Sequence, residues 1–66
     1  MKNTVKVERA IKGITQQELA AAVGVSRQTI HSIEAGGYVP SAVLAFKIAR
    51  YFGKTAESIF TLEDCD

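Results

Sequence analysis

Two predicted helices joined by only two residues constrain the fold of this chain more than any other feature. The first of these helices stops at Gly24 and the second has Ser26 as its N-cap, so Gly24 and Val25 form the whole link. So short a link makes the two helices cross steeply instead of lying side by side. Only certain residue types fit at the corner of such a crossing.

Three residues around this corner have the required types. Ala20 is small where the helices approach each other, and Gly24 suits a left-handed turn in which a Cβ would be strained. Ile30 is apolar and fills the angle between the helices. Further apolar residues surround it: Leu19, Val23, Val25 and Ile33. The spacing A-x3-G-x5-I therefore predicts a helix-turn-helix over about residues 15–35.

Glycine and proline divide the rest of the chain into short pieces. The breakers are Gly13, Gly24, Gly36-Gly37, Pro40 and Gly53. Each of the five pieces that they delimit favours helix over strand. The sequence therefore predicts an all-α fold of five short helices.

Polar caps indicate where these helices begin. Thr15-Gln16-Gln17-Glu18 has the pattern of a capping box, in which the first and last side chains bond each other's backbone amides. Pro40-Ser41 opens the fourth helix, which Gly53 ends. Thr55 caps a last short helix that runs through about Phe60.

The two ends of the chain are less regular. The first helix, from Val5 to Lys12, is expected to bury an apolar face, which consists of Val7, Ala10, Ile11 and Ile14. Residues 4–7 also alternate like a strand, and residues 61–63 form a possible extended segment. The prediction therefore includes possible short strands at both termini.

The charge distribution bears on the partner. A length of 66 residues fits one domain, residues 1–66. Through Lys54 the chain carries eight basic and three acidic side chains, a net charge of +5, and four later acids reduce it to +1. Most of these acids lie in an acidic C-terminal tail, residues 61–66. The basic body permits binding to nucleic acid without requiring it.

Other functional classes find little support. Cys65 is the only cysteine and His31 the only histidine, so no disulfide, metal site or catalytic triad is expected. Neither paired carboxylates nor a phosphate-binding loop is present, and an enzyme is the least favoured class. No apolar run predicts a membrane span or a signal peptide. We therefore expect a cytoplasmic protein without cofactors.

The third helix has two chemically different faces. On a helical wheel Ile30 and Ile33 point one way, and the polar residues of the opposite sector are Arg27, Gln28, His31 and Ser32. These side chains match base edges, since Arg binds guanine with two hydrogen bonds, Gln binds adenine, and Ser binds either. Arg27, Gln28 and Ser32 are the predicted base readers, with Thr29 and His31 secondary.

Four motifs carry a resemblance to a known family. They are Thr15-Gln16-Gln17-Glu18-Leu19-Ala20, Val23-Gly24-Val25-Ser26-Arg27-Gln28-Thr29-Ile30, Ile33-Glu34-x-Gly36 and Tyr38-x-Pro40-Ser41. From about Val5 to Phe60 the chain resembles small DNA-binding proteins of the Cro/Xre phage-repressor type. The resemblance implies a recognition helix from Arg27 to Ala35 in the major groove, and a homodimer on a palindromic operator.

The same resemblance implies roles for individual residues. Gln16, at the start of the second helix, would hold a DNA phosphate, supported by Gln17. Arg9 would pair with Glu34 and tie the first helix to the third. A half-buried Glu34 would also need such a partner, so we expect Glu34 to be structural.

Two further residues have alternative roles. Ser26 is primarily a helix cap that can also meet a phosphate. Tyr38 either packs over its loop or bonds a phosphate. The chain also departs from the family at Ala35 and Gly37, where polar and basic residues are common, which predicts fewer phosphate contacts.

The remaining expectations concern the first helix and the dimer. Glu8 stands where the family often has a buried leucine, and Val7 is expected to take that role. The fourth helix is apolar beyond one stripe, and a candidate dimer interface consists of Val39, Ala56, Ile59, Phe60 and Leu62. Of these residues, Ile59 and Phe60 fit an intramolecular core better.

Together these observations predict a sequence-specific DNA-binding transcriptional regulator. Its partners would be a double-stranded DNA operator and a second copy of the chain, and its effect would be repression. No small-molecule effector and no membrane association are expected. Two alternatives stay open, namely an antitoxin or restriction-system controller of the same fold, and a protein-interaction module that uses the third helix.

Overall fold

The computed structural model describes all residues, 1–66, and contains five helices and two very short strands. The helices are α1 Val5–Lys12, α2 Gln16–Val23, α3 Arg27–Glu34, α4 Ala42–Phe52 and α5 Ala56–Ile59. The strands are β1 Lys2–Asn3 and β2 Phe60–Thr61. The predicted five-helix architecture is confirmed. Two short terminal strands also form, but the first lies at residues 2–3 and not at residues 4–7, where α1 begins.

The caps predicted from the sequence set the helix boundaries. The Glu18 amide donates to Thr15 Oγ1 at 3.0 Å, and the Thr15 amide donates to Glu18 Oε1 at 3.0 Å, which completes the capping box of α2. The Ser26, Ser41 and Thr55 hydroxyls accept from the amides three residues later. Local hydrogen bonds therefore fix where four of the five helices begin.

The turn between α2 and α3 has the predicted conformation. Gly24 lies in the left-handed region with φ of 77°, where a residue with a Cβ would be strained. The Val25 amide donates to the Ala20 carbonyl at 3.0 Å, which closes the end of α2. Ala20 and Ile30 are fully buried at the corner. The helix-turn-helix thus forms from the residues that the spacing identified.

The two strands join the ends of the chain. They pair antiparallel, with Lys2 opposite Thr61 and Asn3 opposite Phe60. The Asn3 side chain extends this junction, because its Nδ2 donates to the Ile33 carbonyl at 2.8 Å and its Oδ1 accepts from the Val5 amide at 3.2 Å. One polar side chain therefore connects β1 to the start of α1 and to the end of α3.

The core lies between the helices and draws on every one of them. Its buried apolar residues are Val5, Leu19, Ala20, Val23, Ile30, Ile33, Leu44, Ile48, Ala49 and Ile59. Ile30 and Ile33 anchor α3 in this core, and burying two such side chains stabilises the fold by about 1.5–3 kcal/mol each. The opposite face of α3 is consequently held outward. No helix of the chain is long and apolar enough to cross a membrane.

The predicted apolar face is wrong within α1, although Ile14, just beyond the helix, is half-buried and packs against the core. Val7 is 55% exposed and Ile11 is 74% exposed, whereas Glu8 is only 9% exposed. The helix is rotated so that Val5 enters the core and the Glu8 carboxylate faces Lys54, whose Nζ lies 2.8 Å from Glu8 Oε2. Glu8 itself, and not Val7, therefore occupies the inward position where the resemblance suggested leucine.

One residue of the predicted dimer interface also needs correction. Ile59 is 1% exposed and belongs to the core, so its side chain is not available to a second copy. Ala56 and Phe60 are half-buried and pack against the same core. Val39 and Leu62 are exposed, at 54% and 74%.

Candidate nucleic-acid interface

The outward face of α3 presents the polar residues predicted to read bases. Arg27, Gln28 and His31 are exposed and Ser32 is half-buried. The side chains of these four residues form no hydrogen bond within the chain. Their donors and acceptors are therefore free for an external partner.

Ser26 and Thr29 are engaged differently from these four. The Ser26 Oγ accepts from the Thr29 amide at 3.2 Å and lies 3.0 Å from Thr29 Oγ1. Both hydroxyls are thus occupied at the first turn of α3, where they stabilise the helix start. Thr29 is half-buried.

An open cleft, which we call the α2 cleft, lies beside the first turn of α2. It encloses about 530 Å³. Its lining residues are Arg9, Ile14, Thr15, Gln16, Gln17 and Arg27. The cleft therefore brings the two glutamines predicted to hold phosphate together with the first base-reading residue and with Arg9. No carboxylate lines it, so its charge is positive.

Behind this cleft lies the predicted ion pair between Arg9 and Glu34. Arg9 Nε donates to Glu34 Oε2 at 2.7 Å and Nη2 donates to Oε1 at 3.1 Å, a two-bond arrangement that fixes both groups. Arg9 Nη1 also donates to the Ile14 carbonyl at 3.0 Å. The pair connects α1 to the end of α3, and the Glu34 side chain is only 6% exposed.

Glu34 also binds a residue for which the sequence predicted another role. Gln16 Nε2 donates to Glu34 Oε1 at 3.0 Å, across 18 residues of sequence. No hydrogen bond joins Gln17 to Gln16, and the side chain that contacts the Gln16 amide is that of Glu34. No local pattern indicates this contact, since it depends on how α2 and α3 cross.

The electrostatics of Glu34 follow from these contacts. Burial raises the pKa of its carboxyl, but the hydrogen bonds from Arg9 and Gln16 and the positive charges of Arg9 and Lys6 outweigh burial. The pKa of Glu34 is therefore lowered from its ordinary value. The hydrogen bonds from Arg9 to Glu34 also raise the pKa of Arg9, against the opposing effect of its burial, so both partners are charged at neutral pH.

A second, smaller cleft lies along α3 on the side of the following loop. It encloses about 230 Å³, and its lining residues are Gln28, Thr29, Ser32, Gly37 and Tyr38. Tyr38 is 47% exposed, and its hydroxyl has no partner within the chain. The ring flanks two predicted base readers, and the two roles left open for Tyr38 both stay predictions.

Comparison with protein families identifies the architecture. A family model described as helix-turn-helix matches residues 5–59, most of the chain. The chain belongs to the helix-turn-helix family. This membership confirms the resemblance to regulators of the Cro type, and it agrees with the prediction that the protein is not an enzyme, since the family consists of DNA-binding proteins.

Relatives of this helix-turn-helix protein occur in archaea and bacteria. A regulator of Methanocaldococcus jannaschii, the uncharacterized HTH-type transcriptional regulator MJ0272, is 56% identical over 97% of both chains. The uncharacterized HTH-type transcriptional regulator YgzD of Bacillus subtilis is 50% identical, again over 97% of both chains. The chain is therefore a helix-turn-helix transcriptional regulator by family.

A solved structure supports the fold. The clp gene regulator ClgR of Corynebacterium glutamicum is similar with a TM-score of 0.74 and 31% sequence identity. The similarity covers 79% of this chain and 55% of the ClgR chain. This helix-turn-helix protein thus spans just over half the length of ClgR.

Proposed function

We propose that this helix-turn-helix regulator binds a specific double-stranded DNA site with α3 in the major groove, and that it represses transcription as a homodimer on a palindromic operator. One observation carries the proposal. The polar side chains on the outward face of α3 have no partner within the chain, whereas the two isoleucines on the opposite face are fully buried in the core.

The base contacts follow from side-chain chemistry. Arg27 presents the fork of donors that matches guanine O6 and N7, and Gln28 presents the donor and acceptor that match adenine. Ser32, one turn after Gln28, accepts from or donates to a base edge. Thr29 and His31 flank this row and are secondary contacts. Family membership and the exposure of Arg27, Gln28 and His31 support the assignment.

Phosphate contacts would fix the register of the helix on the duplex. Gln16 and Gln17 line the α2 cleft, on one side of α3, whereas Tyr38 flanks the other side. Ser26 contributes mainly as a cap, because its hydroxyl already bonds within α3. Contacts on both sides of the recognition helix hold its axis in the groove without specifying sequence.

The homodimer rests on apolar surface outside the DNA face. Val39, Val43 and Phe46 are exposed at 54–65%, and both α4 residues lie opposite the buried face of that helix. Leu62 is also exposed. Sedimentation equilibrium measures the oligomeric state of the chain, alone and with DNA of operator length. A chain that stays monomeric at high micromolar concentration under both conditions contradicts the homodimer.

The experiment that tests the function is selection of bound sites from random double-stranded DNA. The expected result is one enriched site with two inverted half-sites about one helical turn apart. Enrichment of a single half-site would retain specific binding and exclude the palindromic homodimer. Equal recovery of all sequences would overturn the base-reading role of α3.

A further inference from the structure

We propose that Glu34 is a positioning residue for DNA binding, which orients the hydrogen-bond donors of Gln16 and Arg9 toward a backbone phosphate in the α2 cleft. The inference rests on the proposed function and adds two residues to it. Arg9 would contact the phosphate directly, and Glu34 would act only through its two neighbours.

The geometry separates these roles. Arg9 and Gln16 line the α2 cleft, whereas Glu34 does not line it and its side chain is 6% exposed. Glu34 therefore lies behind the cleft, out of reach of a bound phosphate. Its two oxygens accept three hydrogen bonds, two from Arg9 and one from Gln16.

The carboxylate determines which way the Gln16 amide faces. An ionised carboxylate only accepts hydrogen bonds, so the NH₂ end of Gln16 must point toward Glu34 and the carbonyl oxygen away from it. The second hydrogen on Nε2 has no partner within the chain. This hydrogen is the donor that Gln16 has available for a phosphate oxygen.

Arg9 has donors to spare after it binds Glu34. A guanidinium carries five N–H groups, and three of those in Arg9 are engaged, two by Glu34 and one by the Ile14 carbonyl. The remaining two belong to Nη1 and Nη2, and Arg9 is one of the residues that line the cleft. Arg27 adds a full positive charge at the same cleft. The arrangement suits a phosphodiester oxygen, which accepts charge-assisted hydrogen bonds of this kind.

The substitution Glu34→Gln tests the proposal, because positioning and net charge predict opposite results. Removing this carboxylate raises the net charge from +1 to +2, which by charge alone tightens binding to DNA. The amide of a glutamine, however, has one acceptor oxygen and one NH₂ group in place of two acceptors, so it cannot accept all three hydrogen bonds, and Arg9 and Gln16 are no longer both fixed. We expect binding to a 30-base-pair duplex to weaken roughly threefold to tenfold.

Glu8→Gln is the matched control. It also removes a buried, ion-paired carboxylate and raises the net charge by one, but Glu8 pairs with Lys54 and does not line the α2 cleft. This variant should bind the duplex as tightly as the parent or more tightly. If Glu34→Gln behaves in the same way, the positioning role is wrong.

A double substitution shows whether Glu34 acts through Gln16. In a Gln16→Met background the Gln16 donor is already absent. Glu34→Gln should therefore weaken DNA binding less in this background than in the parent, and the double variant should lose less affinity than the sum of the two single effects. Additive effects at a temperature where every variant is folded would contradict coupling through Gln16.

A measurement on the parent chain keeps the proposal falsifiable if Glu34→Gln does not fold. In the NMR spectrum of the free protein, the Gln16 carboxamide hydrogen that faces Glu34 should resonate downfield of its usual position. Two unperturbed carboxamide hydrogens would overturn the proposal. Failure of the parent to bind any duplex would instead reject DNA binding itself and would leave the contact between Gln16 and Glu34 unaffected.

Discussion

The Glu8 carboxylate accepts a hydrogen bond from Lys54 Nζ at 2.8 Å, although 46 residues separate the two in the sequence. The Glu8 side chain is 11% exposed and that of Lys54 is 45% exposed, so the two members of the pair differ in their access to water. Lys54 keeps its hydration if the pair is broken, whereas Glu8 does not. The two residues should therefore respond differently to substitution.

Glu8→Leu is expected to stabilise the fold by about 1 kcal/mol, because an apolar side chain of similar volume avoids the cost of burying a carboxylate. Lys54 is half-exposed and needs no replacement partner. The free energy of unfolding from urea titration at pH 7 measures the effect. A loss of stability would show that the ion pair contributes more than the apolar packing that replaces it.

Lys54→Met makes the opposite change and is the control. It leaves the Glu8 carboxylate buried without its cation, and we expect a loss of about 1–2 kcal/mol in the free energy of unfolding. If both substitutions changed stability equally, the difference in exposure between the two residues would have no energetic consequence.

The α1 register shows where sequence reasoning about this fold stops. Val7 and Ile11 have the spacing of a buried helix face, yet both are exposed. The rotation of α1 is decided by Val5, which fills the core, and by the contact between Glu8 and Lys54. Neither a helical wheel nor a local motif contains these long-range contacts, so the sequence alone favoured the wrong face.

Helix boundaries were predictable because their determinants are local. Ser26, Ser41 and Thr55 each cap the helix that follows within three residues, and Gly24 needs only its own backbone conformation to end α2. The outward face of α3 was predictable for the same reason. The bond between Gln16 and Glu34 was not, because it forms only once α2 and α3 cross.

Acid should weaken the fold through Glu34. Its pKa is lowered in the folded chain, since the opposing effect of burial is outweighed by hydrogen bonds from Arg9 and Gln16. Because the pKa of Glu34 is lowered by folding, its ionised carboxylate stabilises the folded chain above the unfolded-state pKa, about 4.5. This stabilisation is lost as the pH falls through the folded-state pKa of Glu34. Thermal unfolding between pH 7 and pH 3 should show a falling melting temperature below about pH 4.5.

Comparison with Glu34→Gln isolates this contribution. The pKa of Asp66 is also lowered, by hydrogen bonds from the Glu63 amide and from the N-terminal amino group, so acid also acts on a second carboxyl that the fold stabilises in its charged form. The variant should be less stable at pH 7 and should lose less stability on acidification than the parent. Parallel pH profiles for the two chains would exclude Glu34 as the source.

A basic residue at position 37 should strengthen DNA binding. Gly37 does not have a positive φ, and a Cβ built there lies 3.8 Å from the Ser32 carbonyl oxygen, an ordinary contact. Gly37→Lys thus places a cation beside the cleft that Tyr38 lines, next to the proposed groove. The slope of log affinity against log salt should steepen by about 0.9, the value for one additional phosphate contact.

Gly36→Lys adds the same charge at a glycine whose backbone conformation differs from that of Gly37. Gly36 has φ of +81°, so a side chain there costs about 1–2 kcal/mol of stability. The variant gains the same charge but is expected to unfold at a lower temperature. An unchanged salt slope for a folded Gly37→Lys would mean that position 37 lies away from the DNA backbone.

Arg27→Ala and Gln28→Ala should each weaken binding to the preferred site by about 1–3 kcal/mol, because each removes a two-bond contact to a base edge. Binding to a duplex of unrelated sequence should change less, and the preference should relax at one base pair per variant. Lys2→Ala controls for the loss of one positive charge, since Lys2 lies in β1 and lines neither cleft beside α3.

Arg27 also lines the α2 cleft, so it could contact a phosphate instead of guanine. An affinity loss for Arg27→Ala that is equal on both duplexes would assign Arg27 to phosphate. Fluorescence anisotropy with both duplexes at two salt concentrations distinguishes these outcomes, because a phosphate contact lowers the salt slope and a base contact leaves it unchanged.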